Sequence, residues 1–165
     1  MERIDFPAEL LLASRFYLQL EIKLEGGNEQ VDAVFLECQR LQRSQKPIEI
    51  IEVSPNQWAK AKYGQLVTTK IPGRSTADAL VLKRGLTKSP VFWKWFTEVE
   101  LGKWKDTQAE GSLSIFGQGK EDTQARYDFR GAWPTRYSMS GANAQSTEFA
   151  IEEIELAVDF IERSQ

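Results

Sequence analysis

From Arg15 to Leu24 the chain alternates strictly. Phe16, Leu18, Leu20, Ile22 and Leu24 are apolar, and Arg15, Tyr17, Gln19, Glu21 and Lys23 fall between them. A period of two places each set on its own face of a strand, so this stretch predicts a half-buried β-strand. Glu25-Gly26-Gly27-Asn28 supplies residues that tolerate positive φ, and an apolar run resumes over 31–38, which predicts a hairpin. Pro47 opens a third candidate strand over 48–53, rich in β-branched residues. The period then disappears. Residues 54–78 hold two prolines, two glycines and scattered polar groups, and predict a long extended loop. A loop of that length in a compact domain is usually functional or disordered. Trp58 and Tyr63 favour docking, on a neighbour or back on the chain's own core, because large aromatics bury substantial area.

The second half switches period. Residues 79–82 read as a short strand, followed by Lys83-Arg84-Gly85. Ser89 suits a helix N-cap and Pro90 the first helical position. Phe92, Trp95, Phe96 and Val99 then recur at i, i+3, i+4 and i+7, so a helix of about three turns is expected over about 90–101, ended by Gly102. Its aromatic stripe should anchor it on a sheet. Trp93 lies off the stripe and is the candidate for contact with another chain. Residues 113–116 and 125–129 predict two strands around a polar hairpin loop, with Gly131-Ala132-Trp133-Pro134 ending the second. Residues 138–147 read as a loop. The final stretch fits two templates: Phe149, Ile151, Ile154, Val158 and Ile161 approximate a helical stripe, and Ile154, Leu156, Val158 and Phe160 alternate as a strand does.

The 165 residues suit one domain, 1–165, with residues 1–14 as an N-terminal extension. Hydrophobic residues at 41% and charged residues at 27% exclude wholesale disorder. A net charge of −3 gives no general attraction for nucleic acid or anionic lipid. Cys38 is the sole cysteine, which rules out an intramolecular disulfide and fits a reducing compartment. Glu2, Asp5 and Glu9 precede the short apolar run 10–13, so no export signal is expected. No stretch approaches the roughly 20 apolar residues of a membrane span. Synthesis and assembly in the cytoplasm follow as the expectation.

The chain contains no histidine, which removes Ser-His-Asp and Cys-His mechanisms and most zinc sites. Gly117-Gln118-Gly119-Lys120 fails as a phosphate loop, since Ser114 and Glu121 stand where a glycine and a Ser or Thr are needed. Glu152, Glu153, Glu155, Asp159 and Glu162 read as a solvated acidic face rather than a metal site. Lys83, Arg84 and Lys88 with Trp93 and Trp95 only faintly resemble a nucleic-acid surface. Cys38 reads as a small core residue. No catalytic, metal or cofactor site is expected. Two alternatives stay open: a monomeric β-barrel lining a small-ligand cavity with its aromatics, and a carboxylate hydrolase using Glu152, Glu153 and Glu155.

Seven segments in order, residues 16–22, 48–53, Pro72-Gly73, 82–85, Trp95-Phe96, 132–134 and 150–156, resemble the T4-type tail tube proteins of contractile phage tails and related injection systems. The resemblance implies a mainly β (α+β) fold: two packed antiparallel sheets forming a tube-type, Hcp-like β-barrel with one flanking helix. It implies hexameric rings whose sheets join into a continuous inner barrel and which stack into a hollow tube driven through an envelope. The final segment is then a strand, and the loop 54–78 an arm to a neighbouring subunit or ring. Implied partners are other copies of the chain, a contractile sheath protein, baseplate or hub proteins, tube-terminating proteins and lumen cargo, within a virion or injection particle. On this reading Trp58, Tyr63, Lys70, Pro72, Gly73, Lys83, Arg84 and Trp93 are the expected interface residues.

Overall fold

The computed structural model describes residues 13–14, 16–24, 27–31, 35–54, 65–117, 123–142, 144–145 and 147–165. Ten strands and one short helix are formed among them: β1 Phe16–Leu24, β2 Gly27–Val31, β3 Phe35–Gln39, β4 Arg43–Ser54, β5 Gln65–Ala77, β6 Leu80–Gly85, α1 Val91–Glu98, β7 Ala109–Phe116, β8 Thr123–Met139, β9 Ile151–Ala157 and β10 Phe160–Arg163. They fall into two compact units, residues 1–42 with 77–165, and residues 43–76.

The larger unit is one antiparallel sheet in the order β2-β1-β7-β8-β9-β6-β3, with β10 also on β8. The alternation of β1 is realised: Leu18, Leu20 and Ile22 are buried, and Tyr17, Glu21 and Lys23 are exposed. Its hairpin partner is shorter than expected. Leu24 pairs Gly27 and Leu20 pairs Val31, whereas β3 pairs β6 at the far end of the sheet. The apolar run 31–38 therefore serves two strands. The sheet is open, with β2 and β3 at its ends, so no barrel closes within the described chain.

β8 carries the bend. The sequence reads Gly131-Ala132-Trp133-Pro134 as the end of a strand, yet β8 continues to Met139. Ala157 lies opposite Trp133 and Phe160 opposite Arg130, so β8 keeps one register across the gap between β9 and β10 at Val158-Asp159, which faces Gly131. The β7 ladder also shifts register there, between Ala109 and Gly111, and such a bulge bends and twists a strand. Gly131 makes the bulge affordable: its φ is +67°, and any Cβ would strike the Asp159 carboxylate. Phe129 and Ala132, three apart, both reach the core as a result.

The aromatic stripe of α1 fills that core. Phe92 and Trp95 are fully enclosed with Leu20, Leu82, Phe129 and Ile154, and Phe96 and Val99 are half-buried. The Trp95 indole N–H donates to the Thr107 carbonyl at 2.7 Å. Two expected details change. Pro90, not Ser89, is the N-cap, and no side chain caps the helix; the Pro90 carbonyl accepts from the Lys94 N–H at 2.9 Å. The helix does not stop before Gly102 but widens into a π-helical turn, Val99–Lys103, in which Gly102 takes φ 89°. The last segment is strand: Glu152, Ile154, Leu156 and Val158 are buried in alternation.

The smaller unit corrects the expected loop 54–78. Residues Gln65–Ala77 form a 13-residue strand paired with β4, making a two-stranded ribbon. Residues 55–64, including Trp58 and Tyr63, lie outside the described residues. Gly73 has no room for a side chain, because a Cβ would collide with the Lys46 carbonyl and press on Ile48. Gln45 Nε2 donates to the Gly73 carbonyl at 2.7 Å, and the Ser44 and Thr76 hydroxyls are 3.0 Å apart.

Candidate assembly surfaces

Three kinds of surface stand open. The first is the pair of sheet ends, β2 and β3, each hydrogen-bonded on one side within the described sheet. Unpaired strand edges are templates for another chain. The second is the ribbon, where Ile48, Ile50, Ile51, Val53, Leu66, Val67 and Ile71 are all exposed. The third follows α1: Trp93 is 60% exposed with its ring edge-on to Tyr137 at 5.5 Å, Leu101 is 70% exposed on the π-helical turn, and Trp104 leans on Trp133 at 6.1 Å. Large exposed apolar patches mark interaction sites.

The outer face of the sheet is charged and cross-linked. Lys83 sits between two acids, 3.0 Å from Glu37 on β3 and 3.6 Å from Glu153 on β9. The hydrogen bond to Glu37 holds the Lys83 ammonium above its ordinary pKa, and bonds from Gln39 and then Lys83 hold the Glu37 carboxyl below its own. Arg40 reaches Glu155 at 3.7 Å. Such opposite-charge pairs across strands pin register. On the β1-β7-β8 side, Gln19, Glu21, Glu110, Arg126, Asp128 and Arg130 line a polar trough of about 300 Å³. There a hydrogen bond from Ser164, then one from Arg126, lowers the Asp128 pKa.

One charge pair turns inward. Arg84 Nε bonds Glu152 Oε1, and both side chains are almost fully enclosed. The Tyr137 hydroxyl donates to Glu152 Oε2 at 3.0 Å, and the Arg84 guanidinium lies 3.9 Å above the Phe92 ring. Burial, then the bond to Glu152, pushes the Tyr137 phenol above its usual pKa. The acidic run is thus not one solvated face. Alternation sends Glu152 into the core, while Glu153 and Glu155 face out to Lys83 and Arg40, so the three carboxylates point away from any common substrate. Among the described residues no group of three or more His, Cys, Asp or Glu converges as a metal site.

The structure separates the eight expected interface residues. Lys70 is exposed and 3.3 Å from Glu49. Pro72 is exposed beside it and Gly73 is half-buried in the ribbon. Trp93 is exposed, Lys83 is held in the charge ladder, and Arg84 is enclosed. Trp58 and Tyr63 lie outside the described residues. Ile51, Val53 and Leu66 are not among these eight, yet they are more exposed than any other large apolar residue of the ribbon. Their signal was present in Ile50-Ile51, two adjacent isoleucines that break the alternation and place apolar groups on both sides of a strand.

The model of the T4-like virus tail tube protein gp19 family matches residues 13–162. The chain belongs to that family. A tail tube protein is a structural subunit and not an enzyme. No curated protein matches the sequence. Among solved structures, the tube subunit is similar to a chain of the PVC extracellular contractile injection system, in its sheath-tube complex in the extended state, with a TM-score of 0.70 and 17% identity over 98% of this chain and 93% of that one. A chain of the six-fold symmetrised baseplate of the anti-feeding prophage gives 0.72 and 17% over 94% and 96%. A chain of the PVC sheath/tube terminator gives 0.71 and 18% over 96% and 99%. At these identities the likeness establishes the fold.

Cys38 of the tube subunit packs against the core from β3, and burial pushes its thiol up to about 12 from an ordinary 9.0. The thiolate is the reactive form, so at pH 8 the folded subunit should react with iodoacetamide on the order of 10²–10³-fold more slowly than the urea-unfolded chain. Equal rates would place the thiol in water. The fold accommodates the protonated thiol, so this contribution to stability is present below about pH 9 and is lost as pH rises toward 12.

Proposed function

We propose that six copies of this chain close into a ring, that the sheets of adjacent copies join through the free edges at β2 and β3 into a continuous inner barrel, and that rings stack into a rigid hollow tube. The observation that carries this reading is the open antiparallel sheet with an unpaired strand at each end in a tail tube protein. Closure into a ring pairs both of these sheet ends and removes them as templates for aggregation. Residues 1–165 act as one tube domain, with the β4–β5 ribbon as the arm toward a neighbouring copy. Lys70, Pro72, Gly73 and Trp93, with Trp58 and Tyr63, belong to the contacts between copies; Lys83 and Arg84 support them from the sheet.

The similar chains come from complexes with a sheath, a baseplate and a tube terminator. By that analogy the tube is sleeved by a contractile sheath, begins on a baseplate and ends at a cap, in an extracellular particle or a phage tail assembled in the cytoplasm. The sheath supplies the energy, the tube transmits the axial load, and its lumen carries the cargo.

Electron microscopy of the purified full chain over a range of concentrations, with its mass in solution, tests this. Six-fold rings with an open centre, and stacks of them, are expected. A compact monomer at every concentration would sink the reading.

A further inference from the structure

We propose that the enclosed cluster of Arg84, Glu152 and Tyr137 is a register pin, which selects one alignment of β6 on β9 against a second that the apolar residues and the outer charges also accept. The proposal concerns the folding of a single chain and stands apart from the tube reading.

Along β6 and β9 the inward pairs are Leu80 with Leu156, Leu82 with Ile154 and Arg84 with Glu152, and the outward pairs include Val81 with Glu155 and Lys83 with Glu153. Side chains exchange faces when a strand slides by one residue and keep them when it slides by two. Suppose β6 slid so that each of its residues met a partner two positions further on. Leu82 would then meet Leu156, and Leu80 would meet Val158, which the core already takes in. Lys83 would still face an acid, Glu155. The backbone bonds would be remade with other amides, because every non-proline residue offers the same donor and acceptor. One inward pair does not survive the slide. Arg84 would stand against Ile154 and Glu152 against Leu86, leaving two enclosed charges without their partners, and an uncompensated buried charge is strongly destabilising.

The geometry of the cluster fits this task. Glu152 lies on the middle strand of three, β8-β9-β6, and its two oxygens are divided between the neighbours. Oε1 accepts from Arg84 Nε on β6, and Oε2 accepts from the Tyr137 hydroxyl on β8 at 3.0 Å. One carboxylate therefore aligns three strands. The Arg84 guanidinium, 3.9 Å above the Phe92 ring, ties the same alignment to α1. β3 pairs with β6, Phe35 opposite Arg84, so a two-residue slide of both would displace the open edge at β3 by about 7 Å. As a source of stability the cluster is poor: Arg84 Nη2 has no hydrogen-bond partner, and the cost of desolvating an enclosed ion pair offsets most of its attraction. Its value lies in the alignment it excludes, the use for which buried polar groups are best attested.

The test traps the register with disulfides in the full chain carrying Cys38→Ala. Val81→Cys with Glu155→Cys reports the native alignment, and Val81→Cys with Ala157→Cys reports the slide described. Val81→Cys with Glu153→Cys reports the opposite slide, which Lys83 against Ile151 and Asp78 against Leu156 still oppose. Directly opposite residues lie within disulfide reach, and residues two positions off stand at its limit. With diamide as oxidant under native conditions, the parent should link 81 to 155 and give only a trace of the other two. Arg84→Met with Glu152→Leu should raise the yield of the 81-to-157 link at least ~10-fold and leave the 81-to-153 link low. An unchanged 81-to-157 yield in the folded double variant would overturn the proposal, as would a substantial one in the parent. An equal rise in both slide reporters would mean general loosening and would overturn it as well. Arg84→Leu with Glu152→Met, the same charge removal with the volumes exchanged, serves if the first variant does not fold. Failure of both to fold would assign the cluster to folding itself and remove the role in choosing register.

Discussion

Glu152→Ala should destabilise the soluble subunit by about 3–5 kcal/mol, because it leaves the buried Arg84 guanidinium without its counter-charge. Both groups are 3% exposed. With Glu152 gone, Arg84 would lose its counter-charge over the Phe92 ring, its Nη2 already lacking a hydrogen-bond partner, and Tyr137 would lose its acceptor. A subunit of this size has a total stability of about 5–15 kcal/mol, so the loss takes a large share of it. The measurement is the urea midpoint of the unassembled chain at neutral pH. The companion experiment is the double variant Arg84→Met with Glu152→Leu, which removes both charges and keeps apolar volume; it should recover most of the loss, since desolvating an ion pair costs about as much as the pair returns. A single-variant cost under about 1 kcal/mol is the value of an exposed pair, and would mean that water reaches the site. A strongly negative coupling in the double-mutant cycle closed by the single variants Arg84→Met and Glu152→Leu is the sign that the two sites act as a pair.

The second large effect is at Trp95. Trp95→Ala should cost about 3–5 kcal/mol through lost burial and the cavity it leaves, since the side chain is fully enclosed between the sheet and the helix it anchors. Trp95→Phe separates the parts. It retains most of the apolar contact but leaves the Thr107 carbonyl, which now accepts the indole N–H at 2.7 Å, without that donor, at about 1–3 kcal/mol. Both are read from chemical unfolding with unchanged m-value as the sign that the fold is intact. Equal losses for the two variants would mean that the hydrogen bond, not the packing, holds the helix.

The two predictions rest on features of unequal legibility. The Trp95 stripe could be read directly, because burial of one helical face imposes a 3.6-residue period on the residues of that face alone. The same holds for β1, where a single buried face imposes a period of two. The Arg84–Glu152 pair could not be read. Its members are 68 positions apart, and an acidic residue among other acidic residues carries no mark that it faces inward. Only the register of β6 against β9, Arg84 opposite Glu152, brings them together.

Two other errors have the same origin. Residues 65–77 looked like loop because hydropathy reports burial, and a strand whose two faces are both open has little burial to report; its support is a backbone ladder with a few exposed polar pairs across the ribbon, which leave no hydropathy period. Gly131 and Pro134 looked like terminators because both residues usually end strands. Here the bulge at Gly131 turns β8 from one set of neighbours to the next, and the register shift between Pro134 and Arg136 accommodates the proline. Conversely, the adjacent isoleucines at 50 and 51 put apolar groups on both faces of β4, and both are exposed.

By itself the sequence determined the local elements with one buried face, the exclusion of histidine-based chemistry and, through ordered short motifs, the family. These depend on neighbours within a few residues or on composition. The tertiary structure alone decided which strands pair, that one acid of five is buried, and that the sheet of the described residues ends in two open edges. Those facts depend on residues far apart in sequence competing for the same hydrogen bonds and the same core.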